Sequence, residues 1–444
     1  MNNKIFDLIV IGGGPGGYVA AIRASQLGMS VALVEDKHLG GICLNWGCIP
    51  TKALLRASEI KHMLDNVEEF GFSVSNIKMD IKKITQRSRK VASQLSSGIS
   101  HLLKKNKVKV FEGFAKIDKN SDQSKKIIIK TKDGTITEFA KNIIIATGAK
   151  SRNLPFVKSD GINIWDYKTA MIPEHLPSSL VIIGSGAIGM EFASFYNDLG
   201  VKVTVIEALP NILPNEDDDI SNIVKNSFAK RGIVLKTNSS LKSVNINKDS
   251  VTSEIIHNGN SEIINSEKVI LAVGIIANTQ NLGLENFNIK IDKDHIVTNE
   301  YLETGEKGIY AIGDVTGGPW LAHKASHEGI LCVEKMAGVS NLSPIDKSSI
   351  PGCTYCRPQV ASIGLTEKAA KSKSLNIKVG KFPFIGNGKA IALGDSEGII
   401  KTIFNKDTGE LIGAHMVGPE VTELIQGFSI AKKLETTEHE LMHT

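Results

Sequence analysis

The stretch that decides the fold is Ile5-Phe6-Asp7-Leu8-Ile9-Val10-Ile11-Gly12-Gly13-Gly14-Pro15-Gly16-Gly17. An apolar, strand-like run ends in a glycine cluster. The Ala-rich segment from Gly17 to Leu27 then reads as a helix, and Val31 to Val34 as a second strand. That order makes one βαβ unit. The bare spacing G-x-G-x-x-G, here Gly12, Gly14 and Gly17, recurs by chance roughly 0.3 times in a chain this rich in glycine, so context has to carry it. It does: the cluster follows a strand, opens a helix, and precedes Glu35 by the spacing at which a carboxylate binds a ribose hydroxyl pair. Glycines there permit a tight turn and close approach of a pyrophosphate, which rests at the positive helix end.

The plan returns 172 residues on, from Gly12 to Gly184. Leu180 to Ile183 is a strand, Gly184-Ser185-Gly186-Ala187-Ile188-Gly189 the second cluster, Ala187 to Leu199 a helix and Val201 to Ile206 a strand, with Glu207 at the same distance past the last glycine. Two copies with identical spacing exclude glycines that serve packing alone. The fold class predicted is α/β: two Rossmann-like dinucleotide-binding domains followed by a carboxyl-terminal α+β domain. Glu207 also selects the ligand. A 2′-phosphate would be repelled by that carboxylate and would call for arginine, yet Ala208 to Val224 contains neither Lys nor Arg, so NAD is favoured over NADP.

The length of 444 residues suits about three domains. Its 41% hydrophobic and 22% charged residues are globular values that exclude disorder and disulfide scaffolds. With 52 basic and 47 acidic residues interleaved, the net charge of +5 marks no cationic face, and nucleic acid is not an expected partner. The basic cluster Lys82 to Lys90 lies in a helical pattern running to Lys105 and reads as a solvated face. The longest apolar runs, such as Ile143 to Ala146, fall far short of the roughly 20 residues that span a bilayer, so no membrane is expected. Met1 to Asp7 enters the first strand without a signal-like segment, and the chain is expected to be cytoplasmic.

Between the modules, Lys107 to Phe139 reads as an antiparallel β insertion turning at Lys132-Asp133-Gly134. The strands Asn142 to Ala146, ending in Thr147-Gly148, and Val269 to Gly274 look like crossings between domains. After about residue 350, alternating strands precede an amphipathic helix over Val421 to Leu434.

Five cysteines include two close pairs. In Cys43-Leu44-Asn45-Trp46-Gly47-Cys48 the next residues, Ile49-Pro50-Thr51-Lys52, read as a helix start, so Cys48 sits near a helix amino terminus. Five residues of regular helix would part the two Cα atoms by about 7.5 Å, beyond the roughly 4.4 to 6.8 Å of a disulfide. Asn45 to Gly47 is therefore expected to be looped. The helix end and Lys52 would lower the Cys48 thiol pKa, which suits redox chemistry. Cys353-Thr354-Tyr355-Cys356 lacks a following helix or a second ligand pair, because Arg357-Pro358 leads into the strand-like Gln359 to Leu365, and it reads as structural. His323 and His327 lie i, i+4 on a stretch that reads as helical, without the H-E-x-x-H pattern, and no metal is expected. Cys332 reads as core. Tyr310-Ala311-Ile312-Gly313-Asp314 is a strand ending in an aspartate able to accept from sugar-like hydroxyls, ahead of a helix near Ala322.

With Gly12 to Gly17, Gly40 through Lys52, Ala146-Thr147-Gly148, Gly184 to Glu191, Ala272-Val273-Gly274, Gly308 to Asp314 and Gly413 to Leu424 in place, the chain resembles the flavin-dependent pyridine nucleotide-disulfide oxidoreductases over nearly its whole length. The Leu44-to-Lys52 segment is close to their lipoamide subtype. The resemblance implies an enzyme that oxidises dihydrolipoamide, the lipoyl group of 2-oxo acid dehydrogenase complexes, and reduces NAD+. It implies FAD in the first module, bound by Gly12, Gly14, Gly17, Glu35, Lys52, Ala115, Thr147, Gly148, Asp314 and Ala322. NAD would lie in the second, at Gly184, Gly186, Ile188, Gly189, Glu207 and Gly274. Cys43 would be the interchange thiol and Cys48 the partner nearer the flavin, with Lys52 paired to Glu191. It further implies a homodimer, lipoyl domains as partners, and domains over 1–149 (FAD), 150–275 (NAD), 276–346 (central) and 347–444 (dimerisation). The alternatives are a reductase of another disulfide, or a docking flavoprotein with little turnover. The latter arises from one departure: the family's base lies in a His-Pro-Thr-x-Ser-Glu segment, whereas this chain reaches Leu441-Met442-His443-Thr444 with no His-Pro anywhere. Loss of much dithiol activity is expected on that account, since general-base help is worth roughly 100 to 10,000-fold. A minor departure is Ala277, where relatives often have proline.

Overall fold

The computed structural model describes residues 5–121 and 124–444. The chain forms two compact units, the first from the segment up to Pro50 with Arg87–Ser151 and Ile275–Ile345, the second from Thr51–Gln86, Arg152–Gly274 and Asp346–Thr444.

In the first unit the quoted stretch does what its pattern dictates. Ile5–Ile11 is a strand, Pro15–Gln26 a helix with Gly14 at its N-cap and Pro15 suited to its first turn, and Val31–Glu35 a strand parallel to the first. Residues alternate between two cores because successive side chains leave opposite faces. Ile9 and Ile11 enter one, with Ile143 and Ile145, while Leu8 and Val10 enter the other, with Ala20, Ala24 and Ile144. Gly17 is imposed by packing, since a Cβ there would stand 1.9 Å from the Gly12 carbonyl oxygen. The sheet is completed by Gly134–Ile145, parallel to the first strand, and by Ile309–Ala311 beside it.

The expected β insertion forms Phe114–Ser121 and Ser124–Thr131 antiparallel, and Thr131 faces Gly134 across Lys132-Asp133. Its first part departs from expectation: Lys109–Glu112 pairs parallel with Val31–Glu35, extending the nucleotide-type sheet. Ala149–Ser151 and Ile275–Ala277, just past the two Gly-ended strands, pair antiparallel with each other. Ala277 is fully buried in that ribbon.

The second unit contains the second module: Ser179–Ile183, helix Ala187–Asp198 and Lys202–Ile206, in an all-parallel sheet with Val234–Lys236, Lys268–Leu271 and Ile164–Trp165. The same contact fixes its glycine, because a Cβ on Gly189 would stand 2.0 Å from the Gly184 carbonyl oxygen. Ser239–Ile246, Val251–His257 and Asn260–Ser266 make an antiparallel three-stranded sheet. The carboxyl-terminal five-stranded antiparallel sheet runs from Gly352–Thr354 to Ile377–Pro383, carrying the helix Val421–Lys433. No helix among the described residues is long and apolar enough to cross a membrane.

Candidate active site

The two acidic residues after the glycine clusters close on their own modules. Glu35 takes the Gly13 N–H at 2.6 Å with one oxygen and the Lys37 and His38 N–H groups at 2.8 and 3.1 Å with the other. Glu207 takes the Ser185 N–H and hydroxyl at 2.9 and 2.7 Å with one oxygen and the Leu209 N–H at 2.9 Å with the other. Each carboxylate is thus held at the lip of the glycine turn, where a ribose would lie.

The residues present fit dinucleotides. Gly186 is the N-cap of its helix, and a Cβ built there meets nothing within 4 Å; on Gly14, also an N-cap, the nearest atom would be the Cα of Gly41 at 3.9 Å. Open space in front of a helix amino terminus is what a pyrophosphate needs. Gly148 and Gly274 likewise face open space. Thr147 is fixed by its hydroxyl, which donates to the Asn278 carbonyl at 2.7 Å, and Asn278 donates back to the Thr147 carbonyl at 3.0 Å. Ala115 is buried in the strand Phe114–Ser121, Ala322 is the first residue of the helix Ala322–Met336, and Ile188 is exposed in the first turn of the second module's helix.

Asp314 lies in the 3-10 turn Gly313–Thr316, and burial pushes its pKa up while Lys324 pulls it down. The turn is held by a buried pair that sequence reasoning missed. Lys324 Nζ donates to the Gly317 carbonyl at 2.8 Å and the Gly313 carbonyl at 3.2 Å and stands 3.1 Å from Glu328, whose other oxygen accepts from the Gly313 N–H at 2.7 Å. The available signal was the i, i+4 spacing of opposite charges on a helix.

Cys43 and Cys48, both half-buried, lie on successive helices, Gly41–Trp46 and Cys48–Asp65. The expected loop over Asn45 to Gly47 shrinks to one residue: the first helix runs through Trp46, and only Gly47, at φ −145° and ψ −116°, breaks it. A short reversal suffices because Gly47 folds back on the preceding turn, where a Cβ would stand 3.1 Å from the Ile42 carbonyl oxygen and 3.4 Å from the Cys43 Cα. Gly41, at φ +59°, packs on the first cradle, with room for no Cβ because the Gly14 Cα would lie 2.7 Å away. The segment carrying the cysteines is thereby seated on the first glycine turn.

Lys52 lies one turn beyond Cys48 on the same helix. Its ammonium sits 3.7 Å over the Tyr355 ring, and the Tyr355 N–H donates to Glu191 Oε1 at 2.9 Å. Lys52 and Glu191 therefore meet around Tyr355, which no local sequence signal marks because both partners lie far from it along the chain. Burial pushes the Glu191 carboxyl up, against the Tyr355 hydrogen bond and the Lys52 charge. Cys353 is half-buried and Cys356 fully buried; burial raises the first thiol to about 11 and the second higher still. Cys332 is a core residue. His323 and His327 share the helix Ala322–Met336, and no group of three or more His, Cys, Asp or Glu able to hold a metal occurs among the described residues.

Two glycine cradles, an acidic residue at the lip of each and a cysteine pair seated on the first define a nucleotide-dependent thiol oxidoreductase. Known proteins agree. The chain belongs to the pyridine nucleotide-disulphide oxidoreductase family, which it matches over residues 6–329, and it matches that family's dimerisation domain over residues 350–444. It is 51% identical to the dihydrolipoyl dehydrogenase of Rhizobium etli over 99% of this chain and 94% of that one, and 41% identical to the dihydrolipoyl dehydrogenase of Bacillus subtilis with the same coverage. The solved structure of LpdA from Mycobacterium tuberculosis superposes with a TM-score of 0.92 at 28% identity, covering 98% of this chain and 95% of that one. The HOCl-induced flavoprotein disulfide reductase RclA from Escherichia coli superposes at 0.84 and 25%, covering 97% and 94%.

Proposed function

We infer that the chain oxidises dihydrolipoamide to lipoamide and reduces NAD+ to NADH, using FAD and a disulfide formed by Cys43 and Cys48. The observation that carries this reading is the seating of the cysteine segment on the first glycine cradle, Gly41 against Gly14, in a chain half-identical to dihydrolipoyl dehydrogenases. A substrate thiolate attacks Cys43 Sγ, the Cys43–Cys48 bond breaks, and Cys48 leaves as thiolate. The second substrate thiolate then attacks the substrate sulfur of the mixed disulfide, releasing lipoamide and the Cys43 thiolate, so that one electron pair has passed to the two cysteines. FAD and NAD, when bound, supply the two-electron transfer that clears those thiols. The glycine turns would hold the pyrophosphates, Glu35 and Glu207 the riboses, and Asp314 the sugar-like chain of the flavin. Lys52 and Glu191 are proposed catalytic residues on the strength of the family resemblance.

The domain limits 1–149, 150–275, 276–346 and 347–444, a homodimer, lipoyl domains of 2-oxo acid dehydrogenase complexes as partners, and a cytoplasmic location belong to the same proposal. The absence of Lys and Arg from Ala208 to Val224 disfavours the second reading, an NADPH-linked reductase of another disulfide. Rates with dihydrolipoamide and NAD+ against rates with glutathione disulfide and NADPH decide between them. The first pair is expected to exceed the second; faster turnover of the second pair overturns the assignment.

A further inference from the structure

The residues between the two cysteines are gripped from outside. Asn45 Nδ2 donates to the Leu39 and Gly41 carbonyls, both at 2.9 Å, which ties down the start of the cysteine-bearing helix. The Ser96 hydroxyl, on the long helix Ile81–Lys105, stands 3.0 Å from both the Asn45 side-chain oxygen and the Leu39 carbonyl oxygen, which share its one proton. About two turns earlier on that helix, buried Ser88 donates to the Pro50 carbonyl at 3.0 Å, just past Cys48. Arg89 completes the grip. Its guanidinium lies 4.2 Å over the Trp46 ring and donates through Nη2 to the Asn45 carbonyl. Arg89 Nε is buried with no hydrogen-bond acceptor among the described residues. An unpaired buried N–H is costly, and the guanidinium accepts that cost in a pose that serves the stack on Trp46 and the bond to Asn45.

We propose that Arg89 is a positioning residue for the Cys43–Cys48 pair: stacked on Trp46 and bonded to Asn45, it locks the reversal at Gly47 and so favours the disulfide over the dithiol. This rests on the reading of Cys43 and Cys48 as the redox pair. The effect is one of effective concentration. Closing the ring converts two thiols into one disulfide, while two protons and one electron pair pass to an oxidant such as cyclic oxidised dithiothreitol, which becomes the dithiol. A reduced segment still held by Arg89 keeps the two sulfurs near each other and loses little freedom on closure; a released one loses more. A neighbouring cation acting by charge alone would work the other way, since it stabilises thiolates and hence the reduced pair. The two effects have opposite signs, so they separate. Lysine supplies charge without the planar stack and fork of arginine.

The test equilibrates the flavin-loaded full chain anaerobically in mixtures of reduced and oxidised dithiothreitol, quenches in acid, alkylates, and reads the disulfide-to-dithiol ratio of the peptide holding Cys43 and Cys48 by mass spectrometry. Arg89→Met, Arg89→Lys and Trp46→Leu are each expected to lower that ratio about tenfold, which is about 30 mV for two electrons. Trp46→Phe keeps a stacking face and should stay within threefold of wild type. Arg89→Met with Trp46→Leu should be no worse than Arg89→Met alone, because Arg89→Met already removes the stack that Trp46→Leu breaks. Ratios unchanged in Arg89→Lys and Trp46→Leu overturn the proposal, as does a wild-type ratio in Arg89→Lys beside an increased ratio in Arg89→Met, which assigns the effect to charge. Should Arg89→Met fail to bind flavin, Arg89→Lys and Trp46→Leu decide alone. A wild-type chain in which Cys43 and Cys48 never pair defeats instead the functional reading on which the proposal stands.

Discussion

The two βαβ modules are built alike and placed in different company. Gly12 to Glu35 and Gly184 to Glu207 share their spacing, a glycine pressed against the carbonyl of the turn's first glycine, and a carboxylate drawn back to the turn by backbone N–H groups. The difference lies downstream of each carboxylate. After Glu35 the chain runs into Gly41, which packs on Gly14, and then into the cysteines. After Glu207 it enters a stretch free of cations and cysteines, and the helix start at Gly186 faces open space. One cradle is packed against the cysteine segment; the other has no cysteine in the stretch that follows it. The same backbone device serves both, and neighbours assign the task.

The largest expected effect breaks the coupling on one side only. Cys43→Ser should lower dihydrolipoamide turnover by at least roughly a thousandfold, as loss of a nucleophile does, while flavin content stays at the wild-type level because the glycine cradle is untouched. Loss of flavin along with activity would show that the thiol and the cradle are not separable. Next in size, Glu207→Ala combined with Ala208→Arg should shift the ratio of NADH to NADPH kcat/KM by roughly 10 to 100-fold toward NADPH, with flavin content unchanged. Retained NADH preference would mean that another contact selects the nucleotide. Glu35→Ala should do the converse, weakening flavin retention by about tenfold and leaving the KM for NADH alone, one lost charged hydrogen-bond acceptor being worth about that much. Flavin dissociation measured by fluorescence checks it, and a changed NADH KM with firm flavin would contradict the division of tasks.

The smallest effect concerns the carboxylate pins at the base of each sheet. Asp7 accepts from Lys141 at 2.8 Å and from the N–H and hydroxyl of Ser30 at 2.9 and 2.7 Å, which hold its pKa at about 2 against an ordinary 3.8. Glu267 does the equivalent work with Ser178 and His175 in the second unit; burial works upward, but the hydrogen bonds bring it below the ordinary carboxylate value. A folded pKa below the unfolded one gives stability that is present above about pH 4 and is lost as pH falls through about 2 for Asp7, with the same sign for Glu267. Both sites are solvent-screened, so Asp7→Asn and Glu267→Gln should each cost no more than about 1 kcal/mol at pH 7, by denaturant unfolding. The difference from wild type should vanish near pH 2 for Asp7→Asn; a constant difference across that range would assign the cost to packing.

The modules were legible in the sequence because their determinants are local. Strand runs, glycine spacing and a carboxylate at a fixed offset lie within thirty-odd residues, and the structure moves their boundaries by one or two positions. The hairpin at Lys132-Asp133 was legible for the same reason. What escaped depends on pairings distant in sequence. Lys109–Glu112 joins a parallel sheet because its partner is Val31–Glu35. Tyr355 bridges Lys52 and Glu191 from far along the chain, and Arg89 reaches Trp46 from a helix that reads as a solvated basic face. The cysteine segment was half read. Geometry demanded a break between Cys43 and Cys48, and one residue, Gly47, provides it.

The central claim is that electrons cross between a nucleotide and this particular thiol pair. The most direct measurement is anaerobic titration of the purified flavin-loaded chain with NADH, following the flavin spectrum and mapping alkylated cysteines at each point. NADH is expected to yield new thiols at Cys43 and Cys48 in step with its consumption, while Cys353, Cys356 and Cys332 label no more than before. Flavin reduction with no new thiol at Cys43 and Cys48 would contradict the claim.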